Sequence, residues 1–336
     1  MKISIFASIG AYNLGDELIV KNEIKQLEKK YGKNIEFSVF TYDVKNPFIH
    51  AKNITYYEYF PCNIKSLKGI FKNVLNLYHF LYQTYVSNMI VIGGGGIFFD
   101  SEHSTVSNPL NQWVIRSKLF QFFRKKVIFQ SVGIHIHKKK NYQKIKKIFS
   151  INKAEVYVRD DSSQKILSDL RITSTKVLDP VFYDNAVNQS PQDGRYCLKK
   201  INISDFSLEH ISDIEFGNKY IGIAFRSGYL KNEYTNISDI IEFVSKKGGK
   251  IVLIPHSFHP TDRSSNDYFF LRNFSVKYNI KICEDMKEVY KMYSQKKIDI
   301  CLTMRLHSII LSQVYEIPFI SFSYSKKTDE VLSQIS

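Results

Sequence analysis

The chain has 336 residues, 44% of them hydrophobic. That is enough apolar material for two cores, since a single core usually stops growing near ~250–300 residues. A net charge of +15, from 47 Lys and Arg against 32 Asp and Glu, points to an anionic partner such as nucleic acid, a membrane surface or a phosphorylated substrate, although AT-rich codons would give the same Lys-, Asn- and Ile-rich bias.

In chain order, short apolar runs alternate with amphipathic segments. Runs at 2–7, 35–41, 88–92, 126–132 and 154–158 are β-branched and apolar on both faces, as strands of a covered parallel sheet are. Between them, Val20, Ile24 and Leu27 recur at helical spacing, with Gly32 as a C-cap. This predicts a doubly wound domain over residues 1–183. A stretch rich in Pro, Gly, Asn and Ser then breaks the rhythm, and 184–219 reads as a linker or insertion. A second alternation fills 220–336, with strands at 220–225, 250–255, 280–283, 298–303 and 318–323 and helices near 235–247, 265–277 and 285–295. The expected fold is α/β: two Rossmann-like doubly wound domains facing a cleft, with ligands beyond the carboxyl ends of the strands. No apolar run reaches the ~20 residues of a membrane span. The start MKISIFASIG shows no signal-peptide cleavage pattern, and Cys62, Cys197, Cys283 and Cys301 form no C-x-x-C pair. A cytoplasmic protein with reduced thiols is expected.

The junctions after strands hold the chemistry-bearing residues. SIGAYNLGDELI offers Gly10, Asn13, Gly15, Asp16 and Glu17, either as an anion-binding turn or as a plain turn with Asp16 as N-cap. In VIGGGGIFFD, Gly93, Gly94, Gly95 and Gly96 suggest a nest of amides around a carboxylate, phosphate or sugar hydroxyl, with Asp100 placed to accept from a hydroxyl. His135 and His137 alternate after a strand, but no third ligand completes a metal set locally. Arg159 ends a strand as an anion clamp or as the partner of Asp160 or Asp179. In the second half, Arg226 follows a strand close to Gly228, and LIPHSFHPTD presents His256 and His259, one of them a candidate acid or base. Arg305 and His307 leave a strand and enter a helix with no carboxylate nearby in sequence, which reads as a strong anion site. The basic runs FFRKK and IHKKKNYQKIKKIF lie at helical spacing, so a solvated face resting on acidic headgroups fits them better than a nucleic-acid groove.

GAYNLGDELI, VIGGGGIFFD, VRDDSS, VLDPVF and MRLHSIILSQVYEIPFISFSYSKK occur in the order seen in the polysaccharide pyruvyl transferase family, which the chain closely resembles over nearly its whole length. The resemblance implies a fold similar to B-type glycosyltransferases and transfer of a pyruvyl group from phosphoenolpyruvate to two hydroxyls of a sugar, as a cyclic ketal on a bacterial capsule, exopolysaccharide or cell-wall glycan. It maps the family's donor motif onto Arg305, Leu306 and His307, with Arg159 or Arg226 as a further donor-binding arginine. His307 is the expected acid, and Asp16, Glu17 or His256 the base. Asn13, Asp16, Gly93–Gly96 and Asp100 are expected to hold a hexose or hexosamine of a lipid-linked precursor, with no cofactor or metal required. Lys138–Lys140, Lys144, Lys146 and Lys147 are expected to touch the inner membrane leaflet. The chain stops soon after Lys326 and Lys327, short of the longer C-terminal helix usual in relatives, as a truncated chain would. Two other classes stay open: a glycosyltransferase using a nucleotide sugar, and a non-catalytic glycan-binding or assembly protein, which the charged residues Arg305 and His307 speak against.

Overall fold

A computed structural model describes residues 1–60, 67–100, 109–151, 153–185, 195–228, 233–260, 266–324 and 326–334. The chain divides into two compact units, Met1–Ala11 with Asp16–Pro180 and Tyr12–Gly15 with Val181–Ser336.

The first unit contains β1 (Lys2–Phe6), α1 (Leu14–Tyr31, whose first two residues belong to the second unit), β2 (Glu36–Thr41), β3 (Ile54–Glu58), α2 (Leu67–Val86), β4 (Met89–Ile92) and β5 (Gly95–Phe99). It continues with α3 (Pro109–Phe122), β6 (Lys126–His135), α4 (Tyr142–Phe149), β7 (Glu155–Val158), α5 (Asp161–Asp169) and β8 (Thr175–Lys176). Its strands pair in parallel in the order β3-β2-β1-β4-β6-β7-β8, and β5 also pairs with β6. Side chains alternate across such strands, so each apolar run feeds both faces. Ile3, Ile5, Met89, Val91 and Ile128 pack with Val20 and Ile24 of α1. Phe6, Phe40, Ile90, Ile92 and Phe129 pack with Phe80 of α2, Phe120 of α3 and Ile148 of α4 on the other face. Rings fill that second core: Phe6 and Phe40 stack at 4.2 Å, and Phe80 lies 5.6 Å from Phe120.

The second unit contains β9 (Cys197–Asn202), β10 (Tyr220–Ala224), α6 (Glu233–Lys246), β11 (Lys250–Leu253), α7 (Asp267–Tyr278) and β12 (Lys281–Ile282). Then follow α8 (Met286–Ser294), β13 (Ile300–Thr303), α9 (Leu306–Val314), β14 (Phe319–Ser323) and α10 (Lys326–Gln334). Its parallel sheet runs β12-β11-β10-β13-β14-β9, with Ile221, Ile223, Leu253 and Leu302 in a core shared with α6 and α7. The segment expected to be a linker, 184–219, supplies β9 as an edge strand, and Ile211 and Phe216 join the core. Only Ile201 of β9 is buried, and Lys199 and Lys200 precede it, so an edge strand of this kind reads as polar chain.

The turn ahead of α1 belongs to this second unit. Asn13 bridges Ser257 in antiparallel fashion, Leu14 N donates to His256 O at 3.0 Å, and Phe258 N donates to Tyr12 O at 2.9 Å. Among the described residues no helix is long and apolar enough to cross a membrane.

Candidate active site

In the second unit β11, β10, β13 and β14 lie side by side and parallel, so residues just past their carboxyl ends collect along one edge of the sheet. His256 follows β11, Arg226 follows β10, Arg305 follows β13 and Tyr324 follows β14. Ala224 is in register with Thr303, which puts Arg226 and Arg305 at one level on neighbouring strands. Arg226 lies 5.8 Å from the Tyr324 ring centre and donates to its hydroxyl at 3.4 Å.

Arg305 does have a carboxylate. Its Nε donates to Asp267 Oδ2 at 2.7 Å, and its Nη2 bonds Asp267 Oδ1. The two residues are 38 positions apart, which is why the local sequence shows no counter-ion. Asp267, at the start of α7, also accepts from His256 N at 3.2 Å. A two-point contact of this kind fixes the plane of the guanidinium. Arg305 is itself the N-cap of α9, and its side chain, turned to Asp267, makes no cap hydrogen bond to that helix.

His307 lies against Gly15. A Cβ on Gly15 would fall 1.8 Å from His307 Nδ1, so only glycine admits the ring there. The Gly15 amide donates to Asn13 Oδ1 at 3.1 Å, which makes Asn13, and not Asp16, the cap of α1. Asn13 therefore works inside the second unit, although the resemblance assigns it to the acceptor half.

His256 is 1% exposed, with its Nε2 3.0 Å from Tyr293 OH, which is 2.7 Å from Ser308 Oγ. Burial, then the charges of Arg305 and His307, hold its pKa well below the ordinary histidine value. The ring is a neutral strut beneath the sheet edge.

In the first unit, Glu17 Oε1 accepts from Gly10 N at 2.8 Å. Burial, opposed by that bond and reinforced by Asp16 and Asp43, raises its pKa to about 7. Asp16 reaches the glycine run, since a Cβ on Gly95 would lie 3.1 Å from its Oδ1. The run itself is not an open nest. Gly94 N donates to Glu23 Oε1 at 2.7 Å, and a Cβ on Gly93 would fall 2.4 Å from Glu23 Oε2. Burial, again opposed by the amide bond, lifts the Glu23 pKa to about 8. Gly95 and Gly96 open β5 instead.

Asp100 is likewise occupied. It accepts from His137 N at 2.7 Å, Lys138 N at 2.9 Å and Asn141 Nδ2 at 2.9 Å, so it organises the loop after β6 and does not wait for a sugar hydroxyl. Burial would raise its pKa, but these donors together lower it. Arg159 pairs with Asp179 at 3.3 Å and Asp160 at 3.7 Å, its guanidinium packed with His135 over Gly133. Of the two candidate second arginines, Arg226 is the one in the unit of Arg305. Among the described residues no set of three or more His, Cys, Asp or Glu is placed to hold a metal.

Sequence reading missed Asp267, Tyr293 and Glu23. Asn266 before Asp267 is a visible cap signal for α7, yet it says nothing of the pairing with Arg305.

The fold is shared with solved proteins. The Anabaena protein HepE, in complex with UDP and glucose, matches with a TM-score of 0.50 at 11% identity, over 96% of this chain and 80% of that one. An alpha-glucosyltransferase in complex with UDP matches with a TM-score of 0.50 at 10% identity, over 98% of this chain and 82% of that one. The architecture is α/β with parallel sheets, similar to the B-type glycosyltransferase fold. No curated protein matches the sequence. The polysaccharide pyruvyl transferase family profile matches residues 13–326, and the chain belongs to that family. It is thus a transferase of polysaccharide biosynthesis.

Two outcomes follow from this geometry. Glu17 and Glu23 hold protons to higher pH in the folded chain, from 4.5 to about 7 and about 8, so stability is fully present at acid pH and falls as pH rises through that window. Glu23→Gln is expected to flatten the slope of Tm against pH between 5 and 8; an unchanged slope would contradict the burial of that carboxyl. Asp267→Ala leaves Arg305 without its counter-ion and is expected to lower stability in urea by about 3–5 kcal/mol.

Proposed function

We propose that the protein moves a pyruvyl group from phosphoenolpyruvate onto two hydroxyls of a sugar, in a bacterial cell-surface polysaccharide or its lipid-linked precursor, forming a cyclic ketal and inorganic phosphate. The reading rests on one observation: Arg305, Arg226 and the start of α9 stand at one edge of a parallel sheet, with His307 in the first turn of that helix. Phosphoenolpyruvate carries a carboxylate and a phosphate, and guanidinium groups and helix amides are the fixed donors that bind such groups.

Transfer begins with a proton delivered to the methylene carbon, which becomes a methyl and leaves the adjacent carbon electrophilic. One sugar hydroxyl attacks that carbon and gives up its proton. Phosphate then departs with the bond to oxygen, and the second hydroxyl closes the ring as its proton passes to the departing phosphate, which leaves as hydrogen phosphate. We assign the delivered proton to His307, whose ring is fixed against Gly15. Glu17, with a pKa of about 7, is assigned as the base that receives a hydroxyl proton. Asp16, beside it in the first turn of α1, orients the acceptor. No electron transfer enters this sequence, and the two substrates supply every atom of the products.

Incubation with a sugar acceptor and either phosphoenolpyruvate or a nucleotide sugar separates this reaction from glycosyl transfer. Inorganic phosphate released only with phosphoenolpyruvate plus acceptor is the expected result, and nucleoside diphosphate released from the sugar nucleotide would overturn it. His307→Gln keeps size and one hydrogen bond but removes the titratable proton, so turnover should fall about 10²–10⁴-fold with little change in donor affinity. Arg305→Ala should abolish turnover and weaken donor binding by about 1.5–3 kcal/mol in calorimetry. Gly15→Ala should displace the His307 ring and reduce kcat more than it changes KM, as steady-state kinetics on the folded variant would show.

A further inference from the structure

Helix α2 carries apolar side chains outward as well as Phe80 into the core. Toward the sheet it presents Asn76, Gln83 and Thr84, all buried, with Gln83 bonded to Ser38 and Tyr57 and Asn76 to Glu58. Outward it presents Phe71, Val74, Leu75, Tyr78, Tyr82 and Tyr85, between 48% and 78% exposed. Spacings of three and four residues make these one stripe along the helix. Tyr78 and Tyr82 stack on each other at 6.1 Å, and Tyr85 meets Phe123 beyond the end of α3 at 6.3 Å. Helix α3 extends the patch with Ile115 and Phe122, the latter 76% exposed. Single exposed apolar side chains are ordinary, but a contiguous patch marks an interaction surface.

Charge indicates what covers it. Between Leu67 and Ala154 the sequence has 14 Lys and Arg and two acidic residues, Asp100 and Glu102, so most of the +15 lies in this one stretch. Helices α2, α3 and α4 all cover the same face of the sheet. Their outward sides therefore form one layer, where Lys118, Arg124, Lys139, Lys140, Lys146 and Lys147 are exposed around the aromatic stripe. Two copies meeting through this layer would oppose like charges. An anionic surface would neutralise them. Tyr and Phe beside Lys and Arg are the side chains that settle at the boundary between lipid headgroups and acyl chains.

We propose that the outward face of α2, with the exposed end of α3 and the lysines around α4, seats the protein on an anionic lipid bilayer. The aromatic stripe enters the headgroup boundary, and the basic side chains contact the anionic headgroups. This adds an apolar element to the expectation that Lys138–Lys140, Lys144, Lys146 and Lys147 bind by charge alone, and the lipid-linked precursors named above would be met at such a surface. The inference is independent of the donor chemistry, because its test reads binding and not turnover.

Flotation of the full chain with vesicles of phosphatidylglycerol and phosphatidylcholine, compared with phosphatidylcholine alone, is the experiment. Binding to the anionic vesicles is expected, reduced but not abolished by high salt, and at least tenfold weaker for the Leu75→Asp/Tyr82→Asp variant at unchanged Tm. Independently of that variant, Tyr82→Trp should give blue-shifted emission on the anionic vesicles, against a constant background from Trp113, which is 3% exposed. The proposal is overturned if the protein binds neither vesicle or both alike, if Tyr82→Trp shows no shift, or if the double variant binds as wild type does. It is also overturned if the wild type is a dimer that the double variant dissociates, which would give this face to a second copy.

Discussion

The bond between Asp267 and Arg305 is the constraint on which the second unit's charged edge depends. Arg305 stands between a strand and a helix, where a flexible cation would find many orientations. Asp267 reduces them to one by engaging the Nε side of the guanidinium and, through His256 N, ties the end of β11 to the same carboxylate. A buried ion pair of this kind is weak evidence for stability, because desolvation offsets most of the attraction. What it supplies is direction: at the start of α9 the guanidinium is turned to Asp267, and the first turn of that helix carries His307. Fixed donors need no reorganisation when charge develops, which is the most general way a site lowers a barrier.

The first unit solves a different problem. Its polar groups near the strand ends are mostly carboxyls, and burial pushes Glu17 and Glu23 toward neutrality at physiological pH. Glu23 fills the glycine run from within and makes it a structural seat. Glu17, six residues earlier on α1, accepts from Gly10 N instead. The chain passes between units at Tyr12–Gly15, so Gly15, which receives His307, is followed directly by Asp16 and Glu17.

Much of the architecture was legible beforehand. The strands of the second half were read within a residue or two, because they are buried on both faces and carry a continuous apolar signal; β10 and β14 are examples. β9 was not, because an edge strand with one buried residue and two lysines lacks that signal. α2 was not singled out as a helix because buried Asn76, Gln83 and Thr84 interrupt its core side while Phe71, Leu75, Tyr78 and Tyr82 face outward. At the site, Arg305 and His307 were found because charged residues at a strand-to-helix junction are out of pattern. Asp267 was not, because pairing across 38 residues leaves no local trace. The glycine run was recognised as a cradle, but its occupant, Glu23, sits on a helix far back in the chain. Asp100 had the right chemistry for a sugar hydroxyl and the wrong surroundings, since three donors of its own unit already satisfy it.

In the pyruvyl transfer we propose, the step that sets it apart from glycosyl transfer is protonation of a methylene carbon. Running the reaction in heavy water with phosphoenolpyruvate and a diol-bearing sugar, then recording the NMR spectrum of the product, tests that step directly. The account predicts a ketal whose methyl group carries one solvent deuteron. A product without a methyl group, or a ketal methyl free of deuterium, would contradict it.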